Sequence, residues 1–279
     1  MEKQTYRFNN EIDTIEVSSI GAAIIIKPHD GNEILAEYDN PRDTPEFCAV
    51  LSGKTLTLKE KFSFNIFGNK PTEGYTITVF LPAVMYAKLK VNTASGGADI
   101  TGVTAQTFEL NTASGSVNID GDFENITVQS ASGDVTVNNS TGKNTKSLSV
   151  CTVSGSTSVS GYSAEKYSLH SVSGSIEYNG AAGEGSISVT SGDVNVSYTR
   201  WDADLRVSVI SGNVNITVPE GSGMTLTYNG ASGTLKTDLG NEKGKLMNLG
   251  RGTSGDFGGE NKFKVDVNTT SGTVCIKQQ

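Results

Sequence analysis

The stretch Ile126-Thr-Val-Gln-Ser-Ala-Ser-Gly-Asp-Val-Thr-Val137 decides the fold. Ile126 and Val128 stand at even distances before Ser132, whereas Val135 and Val137 stand at odd distances after it. Side chains of a strand alternate between its two faces, so a straight strand would keep one parity throughout. The chain must therefore bend at Ser132-Gly133, and glycine takes such a bend without a Cβ clash.

The same unit returns along the sequence. Ser-Gly recurs at Ser95, Ser114, Ser132, Ser154, Ser173, Ser191, Ser211, Ser232 and Ser271. Four residues before these serines stand Val91, Leu110, Val128, Val150, Leu169, Ile187, Val207, Tyr228 and Val267. Three and five after them stand pairs such as Val117 and Ile119, Val194 and Val196, Val214 and Ile216, and Val274 and Ile276. Self-similarity at about 20 residues is the mark of a solenoid, whose units bury their apolar faces only by stacking. That spacing is too short for a strand, a crossover helix and a parallel strand, and no stretch sustains an apolar period of 3.6. An up-and-down barrel or propeller would not repeat the parity flip in each unit. The fold expected is all-β: a right-handed parallel β-solenoid of roughly 20 residues per coil with Ser-Gly corners.

Within a coil, Thr93, Thr112, Ser130, Thr152, Ser171 and Thr269, two before the serine, are expected to face inward. The parity argument places the corner serine inward with them. Gly-, Asn- and Asp-rich segments such as Asp120 to Asn125 supply the return turns.

One domain is expected over residues 1–279. Residues 1–82 form irregular N-terminal coils and a cap, with strands over Ile12 to Ile26, Ile34 to Tyr38 and Val50 to Leu58. An apolar excursion, Lys61 to Pro71, reads as a hairpin over the core end or as a partner patch. Residues 83–238 are the regular array. Residues 239–279 hold a degenerate coil and a final coil whose last strand would leave an edge guarded by Lys277 and two glutamines.

A net charge of -8 over 279 residues, with no basic stripe, speaks against nucleic acid as a partner. No apolar run approaches the roughly 18 residues that cross a bilayer as a helix, so direct membrane insertion is not expected. The opening residues, MEKQTYRFNN, lack the apolar centre of a signal peptide, which leaves a cytoplasmic location open. Three cysteines, Cys48, Cys151 and Cys275, make neither a disulfide framework nor a metal spacing. Cys151 and Cys275 read as outward and Cys48 as inward.

Thr76 to Ile100 (TITVFLPAVMYAKLKVNTASGGADI), the ASGDV and VSGSI cores and the ending KVDVNTTSGTVCIK resemble the bacterial putative-adhesin family, from about Ile12 to Lys277. The resemblance implies a right-handed β-solenoid, often at the cell surface, with no catalytic residues and no assigned activity.

Candidate binding residues lie on the outward positions after the corner. Asn118, Asn195 and Asn215, four after their serines, would form a polar ladder able to match sugar hydroxyls or a protein surface; the bland alternative is a solvated face. Trp201, with Arg200 in a lengthened return loop, is the one aromatic platform, unless it packs on the base of its loop. Asp134, Asp193 and Asp256 fall two after a corner without the glycine-rich nonapeptide of calcium solenoids. No cofactor is expected. Scattered carboxylates, two histidines (His29 and His170) and the absence of a nucleophile or nucleotide motif give no catalytic constellation. The expected function is a non-enzymatic interaction module, an adhesin with a glycan or protein partner. The alternatives are an intracellular or envelope-associated scaffold that forms oligomers through solenoid ends, and a polysaccharide-active β-helix enzyme.

Overall fold

A computed structural model describes residues 2–9, 11–40, 46–61, 74–239, 252–257 and 262–279. Among them the chain is all-β, with no helix. It divides into two compact units, Met1–Thr141 and Gly142–Gln279.

In the first unit the strands are β1 (Glu2–Phe8), β2 (Thr14–Ser19), β3 (Ala23–His29), β4 (Ile34–Asn40), β5 (Phe47–Ser52) and β6 (Thr55–Glu60). They continue with β7 (Thr76–Pro82), β8 (Met85–Thr93), β9 (Ala98–Thr112), β10 (Val117–Ser132) and β11 (Val135–Asn138). The array stacks parallel strands in register: Leu89 lies beside Phe108 and Phe108 beside Ile126, while Ile100 lies beside Ile119 and Ile119 beside Val137. The positions five after the corner form a column read from the sequence, the positions six before it form a matching column, and all of these residues are buried.

The second unit opens with β12 (Asn144–Ser154), β13 (Thr157–Ser173), β14 (Ile176–Ala181), β15 (Glu184–Ser191) and β16 (Val194–Arg200). It closes with β17 (Leu205–Ser211), β18 (Val214–Val218), β19 (Gly223–Asp238), β20 (Thr253–Phe257) and β21 (Lys262–Gln278). Leu148, Tyr167 and Gly185 stack before the corner; Ile176, Val194 and Val214 stack after it. Gly185 is small because the Tyr167 ring takes its space: a Cβ there would meet the Tyr167 hydroxyl at 2.3 Å. Tyr167 stacks on Tyr178 with centroids 4.4 Å apart and shares a hydroxyl hydrogen bond with Tyr198.

The corner needs glycine twice over. Gly133, Gly174, Gly192, Gly212 and Gly272 all have positive φ, between 108° and 145°. At each, an added Cβ would lie 1.9–2.4 Å from the carbonyl oxygen of the corner glycine stacked against it. The hydroxyls two before the corner serine are buried, as expected, and three of them cap its carbonyl. Thr112 Oγ1 donates to the Ser114 carbonyl at 3.0 Å, Ser130 Oγ to Ser132 at 3.2 Å and Thr269 Oγ1 to Ser271 at 3.3 Å. The corner serines themselves correct the parity argument, since all nine are exposed. The bend starts one residue early: the residue before each serine is exposed too, so two successive side chains leave the core before alternation resumes.

Both ends depart from chain order. In the first unit β2 lies between β6 and β8, and β3 lies between β7 and β9, all parallel. Outside them β5 pairs antiparallel with β6, β4 with β7 and β1 with β4. In the second unit β21 is not the outermost coil. Val265 pairs with Leu205 on one side and Leu226 on the other, and Val274 with Val214 and Leu235. The expected open edge at the last strand is therefore replaced by burial of β21 beneath β19, which β20 flanks antiparallel. An interior slot is lined on both sides, so it favours the all-apolar set Val265, Val267, Val274 and Ile276. The outer slot takes Thr237, where β21 has Ile276. Apart from Lys61, the apolar excursion expected at Lys61 to Pro71, and most of the segment 239–259, lie outside the described residues.

Glu60 closes the N-terminal turn from within. Although only 7 % exposed, its carboxylate accepts from the backbone N–H of Ile20 at 2.5 Å and Gly21 at 3.2 Å, and from Ser19 Oγ at 3.2 Å. Tyr38 donates to its other oxygen at 3.4 Å. A buried carboxylate is tolerated where donors surround it in this way.

Candidate functional site

Parallel register turns one outward residue per strand into a continuous row, because neighbouring strands lie about 4.8 Å apart. Four after the corner, Glu177 stands beside Asn195, Asn195 beside Asn215 and Asn215 beside Cys275. Asn215 Nδ2 donates to Asn195 Oδ1 at 2.8 Å, and both side chains are exposed. Two positions on, Asn179, Ser197, Thr217 and Lys277 form the companion row. The two rows border a shallow groove of about 330 Å³. Asn118 makes the equivalent contact in the first unit, donating to Asp99 Oδ1 at 2.8 Å and standing beside Thr136. The ladder read from the sequence thus has one rung in the first unit and its Asn195–Asn215 segment in the second.

Trp201 is held, not offered as a flat platform. Its Nε1 donates to the Gly223 carbonyl at 3.0 Å, and its ring lies 5.1 Å from Tyr198 and 6.4 Å from Phe263 between centroids. Arg200 is exposed and ion-paired with Asp202. The column two after the corner works on backbone. Asp193 Oδ1 accepts from the Asn213 N–H at 2.7 Å, and Asn213 Oδ1 accepts from the Thr273 N–H at 3.1 Å. Hydrogen bonding to the Lys262 ammonium and the Thr225 hydroxyl holds the Asp256 carboxyl below its usual range. Among the described residues no group of three or more His, Cys, Asp or Glu side chains is placed to hold a metal.

His29 turns inward on its own loop, with Nε2 2.7 Å from the Glu33 carbonyl and Nδ1 accepting from the Gly31 N–H. His170 sits beside Cys151 on the outward face. All three cysteines are free and half-buried, and Cys48 alternates with the buried Phe47 where an inward position was expected.

Two features went unread in the sequence. Val153, Val172 and Ile210, each preceding a corner serine, are 40–56 % exposed; Val153 and Val172 stand on adjacent strands, while Thr190 separates Val172 from Ile210. Ser149, Ser168 and Ser186 form a hydroxyl row on the strands before the corner. The signal for both was the repeat itself, read at one and five before the serine.

The fold and its outward rows define an all-β protein with a parallel, solenoid-like sheet and polar ladders on its faces. The chain belongs to the Toastrack family (DUF4097), a domain of unknown function whose model matches residues 12–277. No curated protein matches it. Among solved structures it is similar to a "putative lipid binding protein" of Parabacteroides distasonis at 14 % identity, covering 98 % of this chain and 96 % of that one with a TM-score of 0.57. A "putative adhesin" of Parabacteroides merdae matches at 13 % identity over 99 % and 96 % of the two chains, with a TM-score of 0.55. Another from P. distasonis matches at 13 % over 99 % and 97 %, with a TM-score of 0.50. At such identities the likeness is one of fold.

Proposed function

We propose that this chain is a non-enzymatic interaction module of adhesin type, which presents its polar ladders to a glycan or protein partner. The observation that carries this reading is the Asn195–Asn215 rung pair on the second unit. Its amides are exposed, in register and bordered by hydroxyls, and a repeated surface of this kind gains strength by engaging a repeated ligand. Adhesion is also what two of the structural neighbours are named for. Right-handed winding, coils of about 20 residues and one domain over 1–279 belong to the same reading, as does display at the cell surface. Asn118 is a further contact in the first unit, and Arg200 with Trp201 forms a secondary edge.

Glycan arrays and pull-downs with the intact chain test it. Binding should weaken at least tenfold in N195A/N215A. Turnover of a polysaccharide would sink it, and capture of every partner unchanged by the Asn and Trp201→Ala changes would remove the ladder as its binding surface.

A further inference from the structure

A concavity of about 520 Å³ on the second unit lies on a different row of side chains from the asparagine ladder. Its floor is five outward positions in register: Ser149 beside Ser168, Ser168 beside Ser186, Ser186 beside Arg206 and Arg206 beside Asp266. Five rungs at about 4.8 Å span roughly 19 Å along the stack. The floor is therefore a trough of hydroxyls at one end and a guanidinium–carboxylate pair at the other.

Its wall is charged but balanced. Lys166 pairs with Glu184 at 2.8 Å, and the Asp204 carboxylate accepts from the Lys264 N–H at 2.8 Å. Lys166, Arg206 and Lys264 offset Glu184, Asp204 and Asp266, so the trough carries no formal net charge. The pairs are loose: Lys166 and Glu184 are 71 % and 65 % exposed, and Arg206 stands 3.7 Å from Asp266. Exposed pairs of this kind add little to stability, so exchanging a partner for a ligand hydroxyl costs the fold little.

We propose that this trough is a second binding site, for a neutral, linear glycan lying along the stack. The inference rests on the reading of the chain as an interaction module and extends it to a separate face. Zero net charge disfavours polyanionic chains, while alternating donors and acceptors suit the hydroxyls of an uncharged sugar chain. An extended peptide is disfavoured because β13, β15 and β17 each have a parallel neighbour on both sides, leaving the trough no strand edge to extend.

The test is a heteronuclear NMR titration of the intact chain. Its probes are neutral linear hexasaccharides of glucose, mannose and N-acetylglucosamine, an anionic hexagalacturonate, and a Ser/Gly/Thr dodecapeptide. At least one neutral hexasaccharide should shift resonances of Ser149, Ser168 and Ser186. Its affinity should fall at least tenfold in S168V/S186V, survive in S168T/S186T and be unchanged in N195A/N215A. Valine suits outward strand positions, and an unchanged urea midpoint confirms folding. Tighter binding of the anionic glycan or the peptide, or neutral binding that ignores the serine changes, overturns the proposal. Loss of binding in N195A/N215A alone removes this second site while leaving the adhesin reading intact. No binding by any probe removes the trough proposal, while array binding by the asparagine ladder remains a separate result.

Discussion

The Gly192 carbonyl oxygen lies 2.0 Å from the point where a Cβ on Gly212 would sit. Gly212 itself has φ of 145°, where a side chain is strained whatever the room. Its replacement by alanine must both twist the backbone and push apart two stacked corners. We expect Gly212→Ala to destabilise the protein by about 3 kcal/mol or more, read as a lower urea midpoint. Gly221→Ala is the control: φ there is 76°, but nothing lies within 4 Å of the added atom. It should therefore cost only the conformational part, about 1 kcal/mol.

Glu60 links three parts of the N-terminal end through one carboxylate, meeting Ser19, the Ile20–Gly21 turn and Tyr38. Glu60→Ala takes the acceptor from the Ile20 and Gly21 N–H groups, with an expected loss of about 2–5 kcal/mol. Glu60→Gln keeps one acceptor oxygen and should recover part of that loss. Equal midpoints for the two variants would show that the carboxylate does not pin the turn.

The core was legible because its signal is periodic: Val128 and Val135 occupy the columns their spacing assigns. The hydroxyl at Thr112 was legible for the same reason. The orientation of Ser114 was not, since parity alone cannot tell whether a bend takes one residue or two; that is decided by where Gly115 reaches positive φ. Nor was the place of β21. Sequence order names the neighbour along the chain, whereas Val265 chooses between neighbours by apolar fit and finds Leu205 and Leu226 together. For the candidate site, Asn195 and Asn215 were read from phase and do meet. The serine trough was missed because serine five before a corner looks like ordinary strand surface until three of them align.

Burial raises the phenols of Tyr167, Tyr178 and Tyr198 well above their usual range, and pushes Tyr86 up to about 12. The folded state thus keeps protons that the unfolded chain releases near pH 10. Above that pH the unfolded state binds fewer protons, so stability falls as pH rises, by about 1.4 kcal/mol per pH unit for each such tyrosine up to its folded value. The contribution is fully present below about pH 10. Absorbance at 295 nm should show these phenols ionising together with unfolding. Their titration near pH 10 in a still-folded protein would refute the burial argument.

If the solenoid grew in chain order, removing residues 262–279 would shorten it by one coil and leave the others paired. In this structure β21 is the parallel neighbour of β17, β18 and β19 at once, and β20 pairs with β19. Its removal exposes Val207 and Ile216 on one side and strands Leu226 and Leu235 on the other. Repeat arrays are held by nearest-neighbour interfaces, so deleting an interior neighbour breaks two interfaces at once. The truncated chain should therefore become protease-sensitive from Gly223 onward and lose more stability than the double substitution Val274→Ala/Ile276→Ala, which thins the same coil by about 2–5 kcal/mol. Fragment mapping by mass spectrometry after brief proteolysis reads the outcome. Protection of residues 223–238 in the truncated chain would show that β19 can close onto β17 and β18 unaided, and that the insertion is dispensable.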